Sequence, residues 1–204
     1  MTKEADGTAH TGQGPSAPPP LAFTALSPVA PARMASPPRL GAQSEGTNSI
    51  EEVRLATDFL NRARLADARL VDADKPPALA DFAAVWRSED AAGAVKIIPP
   101  GPDVSAIGIA SNLIAVDPKV CKGDFTAARF RNNIGKTLAF TAVLSCSDAN
   151  QQRVTEYFIT PRHQGGFAVF AVIHSKSIGE APDFDRETID ILSRAAIEAV
   201  AHEG

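Results

Sequence analysis

Residues 120–173 read VCKGDFTAARFRNNIGKTLAFTAVLSCSDANQQRVTEYFITPRHQGGFAVFAVI, and this stretch decides the fold class. It holds four strand-like runs, at about 120–129, 137–146, 153–160 and 167–173. Between them stand clusters of turn residues: Arg131-Asn132-Asn133, Ser147-Asp148-Ala149-Asn150 and His163-Gln164-Gly165-Gly166. Connections this short join antiparallel neighbours, because a parallel return needs a crossover of a dozen or more residues. The runs therefore predict an antiparallel β-sheet meander. Phe167 to Ile173 is apolar at both parities, which predicts a strand covered on both faces.

Upstream, Phe82 to Arg87 and Ala94 to Ile98 read as two further strands around a turn at Ser88 to Gly93. Pro99-Pro100-Gly101-Pro102 is a hard break, and Asp103 can cap a short helix carrying Val104, Ile107 and Ile114 on one side. A strand competes there, since β-branched residues are frequent and Gly108 interrupts the run. Ser49-Ile50-Glu51-Glu52 has the form of a capping box. Val53, Ala56, Leu60, Ala63 and Leu70 follow at near-helical spacing, widened by Leu55, Phe59 and Ala66, until Pro76 and Pro77. This predicts a helix over about 49–71. A last helix begins near Asp183, with Asp185 and Glu187 at its positive end and Ile189, Leu192, Ala196 and Val200 as its core stripe. The expected class is α+β, an antiparallel sheet with flanking helices in the order α-β-β-α-β-β-β-β-α. It forms one domain over 49–204.

Residues 1–48 differ in kind. They hold eight of the sixteen prolines and show no hydrophobic periodicity. Lys3, Arg33 and Arg39 balance Glu4, Asp6 and Glu45. Such a composition buries too little apolar area to offset the entropy of ordering, so a disordered arm is expected, with Pro18-Pro19-Pro20 as a conceivable ligand. No proper apolar stretch precedes Ala30-Pro31-Ala32, so no secretory signal is recognised in the given chain. No apolar run approaches the roughly 20 residues of a transmembrane helix. Net charge is −4 and the pI is about 5.6, which gives no footprint for nucleic acid or an anionic membrane.

Only Cys121 and Cys146 are present. A hairpin turning at Asn132-Asn133 sets Cys121 opposite Cys146, Gly123 opposite Leu144, Phe125 opposite Ala142 and Ala127 opposite Phe140, all on one face. Small residues oppose large ones throughout, which predicts a buried cross-strand disulfide and hence an oxidising compartment. Two reduced core cysteines are the alternative.

Other chemistry is sparse. Gly135-Lys136-Thr137 lacks the upstream glycine of a phosphate-binding loop, since position 130 is Phe130, and it leads into a strand. A thiol enzyme would need a cysteine beside His163 or His174, and neither cysteine stands in a nucleophile motif. Gly-x-Ser-x-Gly and Cys-x-x-Cys are absent, and the four histidines lack the close pairing of zinc ligands. No cofactor, metal or catalytic residue is expected. The exposed cluster that stands out is Arg162 and His163 beside Gly165 and Gly166, a tip that could touch an anion or a partner.

The segments Trp86-Arg87-Ser88-Glu89-Asp90, Cys121-Lys122-Gly123-Asp124-Phe125, Cys146-Ser147-Asp148 and Tyr157-Phe158-Ile159 resemble uncharacterised exported proteins of the bacterial envelope. That resemblance spans about residues 80–175 and implies an envelope location and paired cysteines, with no assigned activity. A helix-flanked antiparallel sheet is also similar to the PsbP/Mog1-like architecture, whose members are often accessory or binding proteins. The expected function is a non-catalytic periplasmic or secreted accessory module binding an unknown protein or small ligand. The alternatives are a secreted effector whose N-terminal arm is the export signal, and a hydrolase using Cys or His.

Overall fold

The computed structural model describes residues 47–71, 79–116, 119, 121–134, 137–149, 151–177 and 186–202. The expected arm, the Pro18 to Pro20 ligand, the Lys136 turn and the helix start at Asp183 lie outside these residues.

The first helix, α1, is Thr47–Arg62. Leu55, Ala56, Phe59, Leu60 and Ala63 form its buried face, whereas Val53 of the expected stripe is exposed. The helix stops well short of the expected 71. Leu65 N–H donates to the Leu60 carbonyl at 3.1 Å and Arg64 N–H to that of Asn61 at 3.4 Å, with Arg64 at φ 58°. This is a Schellman ending with arginine in the left-handed position usually held by glycine. Ala66 and Leu70, which seemed to extend the helix, are exposed, and Leu70 belongs to a strand.

The strands are β1 (Arg69–Val71), β2 (Ala84–Arg87), β3 (Ala91–Ile98), β4 (Asp124–Ile134), β5 (Thr137–Ser147), β6 (Gln151–Pro161) and β7 (Phe167–Ser177). Helix α2 (Ala106–Val116) lies between β3 and β4, and α3 (Arg186–Ala201) follows β7. The expected α+β class and element order are observed, with the short β1 added.

The seven strands form one sheet in the order β1-β2-β3-β7-β6-β5-β4, every neighbour antiparallel. It is two meanders, β1 to β3 and β4 to β7, joined where β3 pairs with β7. α1 and α3 pack together on one face, with α1 over β2 and β3 and α3 over β4 to β6. α2 packs on the other face, over β5 and β6.

Strand alternation divides the core accordingly. Trp86, Val95, Val143, Phe158, Phe170 and Val172 meet α1 and α3. Val85, Ala94, Leu144, Tyr157, Ile159 and Val169 face the α2 side. Residues 168–173 of β7 are buried without interruption, as expected for a central strand. Trp86 is fully buried because its cross-strand neighbour is Gly93, where an added Cβ would lie 2.2 Å from the indole.

Candidate functional site

The β6–β7 tip is built by a backbone closure. Arg162 N–H donates to the Gly166 carbonyl at 3.2 Å and Gly165 N–H to that of Arg162 at 3.1 Å. Gly165 and Gly166 hold φ values of 87° and 74°, a region that side-chain-bearing residues avoid. A Cβ at Gly166 would also lie 2.2 Å from the Ile98 carbonyl, so the tip is seated on the end of β3.

Arg162 and His163 go to different environments. The Arg162 guanidinium turns inward to Glu51 of α1, leaving its side chain 6% exposed, whereas His163 and Gln164 are exposed. The neighbouring Glu52 is buried, and its Oε1 accepts the Ile97 N–H of β3 at 2.7 Å. The last residue of the expected capping box therefore reaches across to the sheet rather than back along its own helix. Burial raises the Glu52 carboxyl above its ordinary value, opposed by the Ile97 bond and the positive charge of Lys96. These two carboxylates fasten α1 to β3 and to the β6–β7 tip.

A second buried carboxylate, Glu156, stands at mid-sheet on the α1/α3 face. Val143 and Val172 flank it on the adjacent strands, and Val154 and Phe158 lie two residues away along β6. Among the described residues its Oε2 has no hydrogen-bond partner, and desolvation pushes its pKa up to about 7. The group therefore titrates near neutral pH rather than in the usual carboxylate range. Toward β4 the same face carries a satisfied polar network: Asn132 Nδ2 donates to Thr141 Oγ1 and to Ser193 Oγ of α3, each at 3.0 Å.

The cysteines are joined by a disulfide with Cα atoms 5.7 Å apart. The expected register is displaced by four residues. Phe125 faces Cys146, Ala127 faces Leu144, Arg129 faces Ala142 and Arg131 faces Phe140. Arg131, Asn132 and Asn133 lie inside β4, where they pair with Phe140, Ala139 and Leu138, so the expected turn residues belong to the strand. Displacement by an even number keeps the faces, since side chains alternate with period two. Cys121 now precedes β4, and the bridge ties this lead-in segment to the end of β5. Both cysteines are half-buried rather than buried. With both sulfurs bonded, neither is a thiolate nucleophile. Among the described residues, no three His, Cys, Asp or Glu side chains gather closely enough to hold a metal ion.

Beyond the bridge, β4 is an edge of the sheet, and Thr126 to Arg131 are all exposed. Arg129 Nη1 donates to Ser111 Oγ of α2 at 2.9 Å, and the Arg131 guanidinium lies 5.5 Å from the Phe140 ring centroid. Phe130, between the two arginines, is 37% exposed on the opposite face. The sequence reading missed this surface because it ended the strand at residue 129 and placed the turn on the residues that extend it.

No family model matches the chain, and no curated protein matches it. Among solved structures it is similar to a Pseudomonas aeruginosa protein of unknown function, with 11% identity and a TM-score of 0.37 over 62% of this chain and 78% of that one. It is also similar to LpqN, involved in cell envelope biogenesis of Mycobacterium tuberculosis, with 16% identity and a TM-score of 0.36 over 66% of this chain and 75% of that one.

Proposed function

We propose that this chain is a non-catalytic accessory or binding module of an oxidising compartment, periplasmic or secreted, with one structural disulfide. The observation that carries the reading is the Cys121–Cys146 bridge. Bridges of this kind persist where thiols are not continuously reduced. No helix among the described residues is long and apolar enough to cross a membrane, and a module working off the bilayer fits that. The non-catalytic part rests on chemistry: the sulfurs are spent in the bridge, and Glu156 is walled in by valines and a phenylalanine. Binding falls to exposed parts of the sheet and its tips, among them His163 beside Arg162, Gly165 and Gly166.

The test is the intact mass, with and without reduction, of protein recovered under thiol-trapping conditions from its natural host. Reduction should add about two daltons, the two hydrogens taken up by one bridge. Free, trappable thiols in the freshly isolated protein would overturn the compartment and the structural role together.

A further inference from the structure

The two edges of the sheet are unlike. β1 is three residues long, whereas β4 is eleven and pairs with β5 residue for residue from Asp124 to Ile134. β4 contains no proline and no bulge, two of the devices that keep an edge strand from accepting another, and its arginines exclude only partners that do not match their charge. Its lead-in is tied to β5 by the disulfide, so the edge is held in place before any partner arrives.

Charge selects among partners. Within residues 121–138, Lys122, Arg129, Arg131 and Lys136 stand against Asp124 alone, a local excess of three positive charges in a chain of net charge −4. Among the described residues, neither Arg129 nor Arg131 is paired with a carboxylate. One bonds a hydroxyl and the other lies over a ring. A second copy is disfavoured, because β4 against β4 brings these arginines together. The chain's own first 46 residues are neutral and contain eight prolines, which lack the N–H a ladder needs. Only another peptide backbone supplies the alternating donors and acceptors that a sheet edge pairs with.

We infer that β4 accepts an extended acidic peptide as an eighth strand, its carboxylates set at alternate positions against Arg129 and Arg131. The residue between the carboxylates is apolar and lies beside Phe130, because successive side chains of a strand point to opposite faces. The recognised pattern is thus acidic–apolar–acidic in an extended segment. The inference deepens the binding-module reading and rests on it.

Fluorescence anisotropy with the full, oxidised chain tests the assignment. The probe is a labelled peptide matching the eleven residues of β4, alternating Thr and Val around a central Glu-Val-Glu. It should bind, and a Lys-Val-Lys counterpart should bind at least about tenfold more weakly. Backbone N-methylation at one parity of the acidic peptide should abolish binding while the other parity is tolerated, since only alternate amides face the edge. Arg129→Gln with Arg131→Gln should weaken the acidic peptide by about tenfold at an unchanged melting temperature. Binding that survives N-methylation at both parities, or displacement by inorganic polyphosphate at equal charge, would reveal a plain polyanion surface and overturn the inference. So would failure of the acidic peptide to bind, or self-association through β4 in sedimentation. A bridged chain that ignores the peptide leaves the compartment reading intact. A chain with free thiols that nonetheless binds it in both redox states retains the β4 assignment and loses the compartment.

Discussion

Glu156 is a carboxylate whose surroundings resist its ionisation. Its pKa rises from 4.5 to about 7 through burial alone, so the folded chain holds a proton that the unfolded chain releases. The stabilisation from that proton is fully present below pH 4.5 and is lost as pH rises through about 7. Glu156→Gln, which keeps the shape and removes the charge, should leave stability nearly unchanged at pH 4.5. At pH 8.5 it should raise stability by roughly 2–3 kcal/mol, read as the difference between variant and wild-type denaturation midpoints across pH. A constant difference would mean that Glu156 does not titrate in this interval. Gly166 offers a residue-scale test of opposite sign. Its positive φ and the nearby Ile98 carbonyl leave no room for a methyl group, so Gly166→Ala should cost about 1–3 kcal/mol in chemical denaturation.

At the scale of elements, the disulfide and β4 act together. Joining residues 25 apart in sequence should stabilise by about 3.5 kcal/mol in the chain-entropy model. Cys121→Ser with Cys146→Ser should lower the melting temperature, and the amides of Asp124 to Ala127 should exchange hydrogen faster than those of β6. Uniform acceleration across the sheet would mean that the bridge acts only on global stability. The same hairpin shows where sequence was readable. Which side chains share a face was legible because alternation survives an even slip, but their burial was not: Ala139, Thr141, Val143 and Ser145 on the face opposite the cysteines are buried, and Ala127 on the cysteine face is exposed. The register was not legible either, because Asn132-Asn133 is a strong turn signal in isolation. In the fold, Asn132 instead spends its amide on Thr141 and Ser193, the latter on a helix 61 residues away. The end of α1 was hidden for a related reason: arginine fills the position where glycine would have announced the stop. Glu52 looked like a local cap, and only the placement of α1 on β3 supplied its actual partner.

For the molecule as a whole, α1 and α3 cover one face of the sheet and α2 the other. Sequence periodicity identified the buried stripe of α3 and most of that of α1, but on α2 Ile107 of the expected stripe is exposed and Ala106, Ile109 and Ala110 are buried instead. No local signal says that β3 pairs with β7 and places β4 at the edge. The two core faces share the same backbone ladders, so damage to either should weaken both. Phe170→Ala beneath α1 and Ile159→Ala on the α2 face should each destabilise by about 2–5 kcal/mol while thermal unfolding remains one transition by near- and far-ultraviolet circular dichroism. Two resolved transitions would divide the molecule along its sheet.

The β3–β7 pairing also sets a timetable. Ala91 and His174 are partners roughly eighty residues apart, so the first meander leaves the ribosome long before the strand that completes it. Until β7 emerges, β3 presents an open edge and α1 lacks Phe170, the ring its own Phe59 packs against at 5.1 Å. The nascent chain therefore cannot close its sheet early, and its assembly is gated by the synthesis of its seventh strand.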